Sequence, residues 1–416
     1  MKLHTLLKYP AASYRFSRMA IFALSVALCL ASCGSPQPAS QASASSTTSA
    51  ATEAPTTSSG ESTTAANASS LNGVVRQGFD GSTVWQLTQS AVRISTDGAL
   101  SWTSTPLPQG APFNEVGDVA ATSSGVWLAK LESRGGTGAV IYHKASPNST
   151  WSKFTISPTW SAIEVHAGAP RAQILSGGGS IGVRLDRGGA QVGVSSILFI
   201  YNGTSFVERT LPTSALDFSG GTVLLLGNGK IVAQAERTGH LYYSTNGGRT
   251  WTESEINTSG IPVGFIGAPV AASGGNIYLP VDLPKRAANT SIPKTSDVAL
   301  YRSTDGAKSY ELVNSSIAPA LPAGAVPVVG ANGANVWVAP FDSGTLYEST
   351  NSGKTFKSLI PTSPWYNPGG ITILSSKVAL ARSAISSCVS FKNDCTQHQY
   401  LFKTTNGGLS WVSLPD

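Results

Sequence analysis

The stretch Ser244-Thr245-Asn246-Gly247-Gly248-Arg249-Thr250-Trp251 decides the fold. Asn-Gly is a strong hairpin signal, because both residues tolerate positive φ and the Asn side chain bonds the turn backbone. The flanking Ser and Thr hydroxyls can satisfy further turn amides. The closing aromatic begins the next strand and offers a large surface to a neighbouring unit. One octet predicts one hairpin; repetition predicts an architecture.

The octet repeats as Ser95-Thr96-Asp97-Gly98-Ala99-Leu100-Ser101-Trp102 and Ser303-Thr304-Asp305-Gly306-Ala307-Lys308-Ser309-Tyr310. It recurs as Ser349-Thr350-Asn351-Ser352-Gly353-Lys354-Thr355-Phe356 and Thr404-Thr405-Asn406-Gly407-Gly408-Leu409-Ser410-Trp411. Degenerate copies, Pro147-Asn148-Ser149-Thr150-Trp151 and Tyr201-Asn202-Gly203-Thr204-Ser205-Phe206, fill the gaps. The closing aromatics are spaced by 45 to 59 residues, so seven near-equal units fit residues 72–416. Between octets run short apolar stretches such as Val84 to Leu87 and Val223 to Leu226, without sustained helical periodicity. A four-stranded unit of this length cannot bury both faces alone, whereas radial stacking buries them and leaves only short edges. The expected fold is all-β: a seven-bladed β-propeller of four-stranded antiparallel blades.

These octets resemble the Asp box, or BNR repeat, of the sialidase-like β-propeller superfamily, and the resemblance covers residues 72–416. The usual Asp is Asn in three copies, and the second Gly is Ala in two. In that superfamily the boxes are structural turns between the outer two strands of a blade. The resemblance therefore implies that Asp97, Asn246, Asp305, Asn351 and Asn406 are turn formers, not catalysts. A sialidase of this kind would also need an Arg triad, with the first Arg in a Phe/Tyr-Arg-Ile-Pro sequence near the start. The nearest match, Val92-Arg93-Ile94-Ser95, lacks the Pro and runs directly into an octet. The xyloglucan-cleaving relatives place a carboxylate pair between two propellers, and this chain has the length of one. Another relative, the photosystem II assembly factor, is a single propeller that binds proteins.

The chain start reads differently. Residues 1–33 carry Lys2, Lys8, Arg15 and Arg18, an apolar run from Met19 to Ala31, then Ser32-Cys33. That is the layout of a secretory signal, with a run too short to span a bilayer. Leu30-Ala31-Ser32-Cys33 resembles a bacterial lipobox, which implies lipidation of Cys33; an ordinary cut nearby would leave a free thiol instead. Residues 34–71, almost entirely Ser, Thr, Ala, Pro and Gly, are expected to form a disordered tether. The expected location is a cell membrane or outer membrane, lipid-anchored and facing the extracytoplasmic side.

Removing the signal leaves 24 basic against 22 acidic side chains, a formal charge of +2, so net charge gives a nucleic-acid partner no support. The only cysteines beyond Cys33 are Cys388 and Cys395, an isolated pair that reads as a local disulfide worth about 2–3 kcal/mol. No cofactor or metal site is expected: His143, His166, His240 and His398 are scattered without ligand spacing. No nucleophile elbow, zinc motif or phosphate loop occurs, and Gly177-Gly178-Gly179-Ser180 reads as a turn between strands.

A binding surface is the stronger expectation. Long loops between second and third strands, at Leu131 to Gly138, Asp186 to Ser196, Asp282 to Asp297 and Arg382 to Gln399, emerge opposite the octets. In or beside them lie Arg134, Arg187, Arg237, Lys285, Arg286, Arg382 and Lys392, suited to clamping an anionic ligand such as an acidic glycan. Phe113, Trp160, Trp365 and Tyr366 enter the same side as stacking platforms. Glu132, Asp186, Glu236, Asp282, Asp297, Asp342 and Asp394 lie there too, so a solvated, nearly neutral face is the alternative. The expected role is a monomeric, non-enzymatic binder of an envelope protein or glycan, touching the membrane through its lipid anchor only. The alternative is a glycoside hydrolase or lyase with a non-standard site, betrayed by convergent carboxylates or an Arg cluster.

Overall fold

The computed structural model describes residues 74–131, 138–160, 171–189, 193–212, 221–235, 240–258, 264–285, 295–318, 321–322, 327–340, 344–362, 368–388 and 395–414. The signal and tether expectations for residues 1–71, Cys33 included, lie outside them. The described chain is all-β, with a single 3₁₀ turn at Phe113–Glu115 as its one described helical element.

Seven antiparallel sheets follow one another along the chain, in strand order one to four, as the blades of a β-propeller. They cover residues 74–106, 116–156, 171–209, 222–253, 270–314, 328–359 and 368–413. Each blade is local in sequence, because hairpin turns pair every strand with the next. Blade 5 carries two additions. Glu255–Ile256 pairs in parallel with its fourth strand, Ser309–Asn314, and Leu321–Pro322 pairs with its third. The former covers the longest fourth strand in the ring, the edge most in need of a partner.

The five octets and both degenerate copies occupy the turn between third and fourth strands. Their hydrogen bonding explains the consensus. Ser95 Oγ donates to Asp97 Oδ1 (2.7 Å) and accepts from Ala99 N (2.7 Å), while Asp97 Oδ1 accepts from Leu100 N and Ser101 N (both 3.0 Å). Ser101 Oγ then donates to Asp97 Oδ2 at 2.6 Å. Asn replaces Asp by reversing this last bond: Asn246 Nδ2 donates to Thr250 Oγ1 at 2.7 Å, and Asn406 Nδ2 to Ser410 Oγ at 2.8 Å. The fifth octet position needs positive φ, which is why Gly248, Gly353 and Gly408 sit there. Ala99 and Ala307 adopt it at φ 68° and 73°, each held by the first hydroxyl of its octet.

The apolar residues form seven clusters among the described residues, one at each seam between neighbouring blades. The closing aromatic of every octet enters the seam with the preceding blade. Trp151 packs on blade 1, Phe206 on blade 2, Trp251 on blade 3, Tyr310 on blade 4, Phe356 on blade 5, Trp411 on blade 6 and Trp102 on blade 7. Tyr310 and Trp411 are fully buried, which contributes about 2–3 kcal/mol each, while the other five rings are half-buried and contribute less. The last seam packs around Val84, Leu380, Leu401 and Leu414, with Lys403 Nζ donating to Gly98 O at 2.7 Å.

The segments read as long loops are in large part strand. Ser180–Gly189 with Gly193–Tyr201, Ile277–Lys285 with Thr295–Ser303, and Ala379–Cys388 with Cys395–Thr404 pair continuously in blades 3, 5 and 7. Extending the ladder satisfies backbone groups that a loop of that length would leave to water.

Candidate functional site

At the axis, the first strands of blades 1 to 3 are joined through two carboxylates. Asp80 ends the strand Val74–Asp80, and its carboxylate accepts from Ala121 N of blade 2 (3.0 Å) and Ser176 Oγ of blade 3 (2.6 Å). Asp118, on the first strand of blade 2, accepts from Ile174 N of blade 3 at 2.7 Å. Burial pushes both carboxyls up, Asp118 to about 6, despite the backbone N–H groups that favour the charged forms. Arg382 and Arg76 are the nearby cations, acting on Asp80 and Asp118 respectively. Arg76 also donates to Gly117 O, a second tie between blades 1 and 2.

The same end of the axis that carries the octet turns opens into a cavity of about 1030 Å³. Its walls are the turns between first and second strands, with Leu224, Leu226 and Val270 as partly exposed aliphatic surface. Among the described residues that line it, Lys230 and Asp305 carry the ionisable side chains. Asp305 serves its own turn: its carboxylate receives Ser303 Oγ, Lys308 N, Ser309 N and Ser309 Oγ at 2.7 to 3.1 Å. Burial alone would raise its pKa, but those bonds bring it below the usual carboxylate range.

The expected binding residues separate on inspection. Arg187 and Trp160 come together: the guanidinium lies 5.9 Å from the ring centroid, and both side chains are buried at the seam of blades 2 and 3. Arg382 is exposed on the second strand of blade 7. Lys285 ends the strand Ile277–Lys285, and Phe113 opens the 3₁₀ turn. Arg134, Arg237, Arg286, Lys392, Trp365 and Tyr366 lie outside the described residues. Cys388 and Cys395 stand directly opposite each other across their ladder. Arg93, the imperfect sialidase match, lies on the third strand of blade 1 with its guanidinium over Trp102 at 5.1 Å.

Comparison with known proteins adds no family. No protein-family model matches the chain, and no curated protein matches it. Among solved structures it is similar to YCF48 from Cyanidioschyzon merolae, at 14% identity and TM-score 0.41, over 76% of this chain and 89% of that one. It is also similar to the α-L-arabinofuranosidase Arb93A from Fusarium graminearum, at 14% identity and TM-score 0.42, over 70% and 94%. A third is a PL25 ulvan lyase, at 11% identity and TM-score 0.40, over 83% and 96%. Similarity of this degree concerns the fold alone.

Two features escaped the sequence reading: the axial carboxylates and the cavity. A signal for the first existed. Asp80-Gly81-Ser82-Thr83-Val84-Trp85 aligns with Asn332-Gly333-Ala334-Asn335-Val336-Trp337, and Asn332 also bridges blades. Among the described residues, no group of three or more His, Cys, Asp or Glu is placed to hold a metal ion.

Proposed function

We propose that this chain is a non-enzymatic, lipid-anchored propeller that binds a protein or glycan of the cell envelope. In this reading residues 1–33 are a lipoprotein signal ending at Cys33, residues 34–71 a tether, and residues 72–416 the binding domain, acting as a monomer. The octets are its Asp boxes, and Cys388 with Cys395 forms its disulfide. One observation carries the non-enzymatic half: Asp80 and Asp118 are spent on holding neighbouring blades. A general acid must release its proton to substrate, and a carboxylate fixed by main-chain donors of another blade is poorly placed to do so.

The experiment is fractionation and envelope pull-down with wild type and Cys33→Ala. Wild type is expected in the membrane fraction after a high-salt wash. The variant is expected in the soluble fraction, capturing the same partner. Persistent membrane association of the variant would overturn the anchor, and capture of nothing by either form would overturn the binding role.

A second reading, a glycoside hydrolase or lyase, draws on the raised pKa values of Asp80 and Asp118 and their arginine neighbours. It requires Asp118→Asn to abolish turnover of an envelope glycan while the fold stays intact.

A further inference from the structure

The walls of the axial cavity have a distinctive chemistry. Gly81, Gly274 and Gly275 line it, all at positive φ with open space where a Cβ would stand, so part of the surface is bare main chain. Such a wall offers amides and carbonyls that an extended peptide can pair with. Between these turns stand Leu224, Leu226, Val270 and Leu374, each half-buried and so part of its apolar surface left over from seam packing. Among the described residues that line it there is no aromatic side chain. A sugar ring presents a flat C–H face that stacks on aromatic rings, whereas branched aliphatic side chains interdigitate with leucine and valine. The wall therefore suits a peptide better than a glycan.

One charge remains. Lys230 is exposed on the wall beside the turn of Thr304, Asp305 and Gly306. Among the described residues no carboxylate lies within ion-pair distance of it, and Asp305 is occupied by four donors of its own octet. An ammonium at the edge of a partly apolar cavity favours one negative group on the occupant.

We infer that this cavity binds an extended peptide segment bearing aliphatic side chains and one carboxylate, with Lys230 as its counter-ion. The inference rests on the binding role proposed above and chooses protein over glycan as the partner class. It also moves the site from the hairpin end, where the sequence placed it, to the octet end.

The test pans a display library of random short peptides on the full-length protein in detergent, with an array of acidic and neutral glycans run in parallel. Selected peptides are expected to combine Leu, Ile or Val with Asp, Glu or a free C-terminus. Their affinity is expected to fall about tenfold for Lys230→Ala. It should be lost for Ala271→Trp, which fills the cavity from an exposed position. Melting curves confirm that both variants fold. Selection of glycans in place of peptides would overturn the inference, as would peptides that bind both variants like wild type. If Ala271→Trp still captures the envelope partner, the cavity assignment fails while the binding role stands. If wild type captures nothing, both fall.

Discussion

Asp80 and Asn332 occupy the same place in blades 1 and 6: each ends its blade's first strand, precedes a glycine and reaches into the next blade. The chemistry is opposite. Asp80 accepts from Ala121 N and Ser176 Oγ; Asn332 donates to Ile373 O at 2.9 Å and accepts from Ser273 Oγ at 2.7 Å. Blades 1 to 3 are thus tied at the axis by half-buried carboxylates, and blades 5 to 7 by a neutral amide. The difference extends to the rim. Blades 2 and 3 have the degenerate octets, and their shared seam is filled with rings instead. Trp127 lies 5.1 Å from Tyr201 and 5.9 Å from Phe206, centroid to centroid, and stacks on His143 at 3.8 Å. One half of the ring relies more on charge and aromatic packing, the other on amides and complete turns. Of the two axial ties, only the carboxylate one has a reason to respond to pH.

The largest effect tests the aromatic seam. Trp127→Ala should cost about 3–5 kcal/mol in denaturant melts, because a ring that is fully buried leaves a cavity in a rigid seam. Next comes pH. Asp118 has a folded pKa raised to about 6, so its contribution is fully present below the unfolded carboxylate pKa and is lost as pH rises through about 6. Stability should therefore fall by about 3 kcal/mol between about pH 4 and pH 6, with Asp80 adding in the same direction. Asp118→Asn should flatten that slope, measured by melting across the same range. Asp97 and Asp305 act the other way. Hydrogen bonds, with Ser101 foremost for Asp97, hold both below the usual carboxylate range, so their stabilisation is lost as pH falls below about 4.

The amide half gives the smaller effects. Asn332→Asp should cost about 1–3 kcal/mol at neutral pH, because a carboxylate meets the carbonyls of Ile373 and Leu374, and acid should partly restore it. Asp305→Ala should lower stability by about 1 kcal/mol without loss of partner capture, since it removes a turn acceptor on the rim. Unchanged melting of that variant would detach the octet from the stability of its blade.

The octets were legible because their signal is local. Asp97, Asn246, Asp305, Asn351 and Asn406 bond within four residues of themselves, so composition and spacing expose them. Even degenerate Asn202 holds its turn, accepting from Thr204 N and Ser205 N. Asp80 shares a repeated pattern with Asn332, but the partners of the axial carboxylates are not legible, since Asp80 bonds across 41 and 96 residues and Asp118 across 56. A lone acid on a strand carries no local mark of such partners. In blades 3, 5 and 7, Gly188, Gly189, Pro284 and the polar run after Ala384 suggest breaks, yet the ladder continues through them. Arg187 shows a related limit: its charge suggested a ligand clamp, and the fold buries it against Trp160.

The most direct measurement compares wild type with Asp118→Asn in parallel assays of envelope-glycan turnover, envelope-partner capture and melting against pH. If the axial acids hold blades together while the protein works by binding, both forms turn over nothing and capture the same partner, and only the melting profile changes. Glycan cleavage by wild type, absent in a variant that melts normally, would show that these carboxylates perform chemistry and contradict the account.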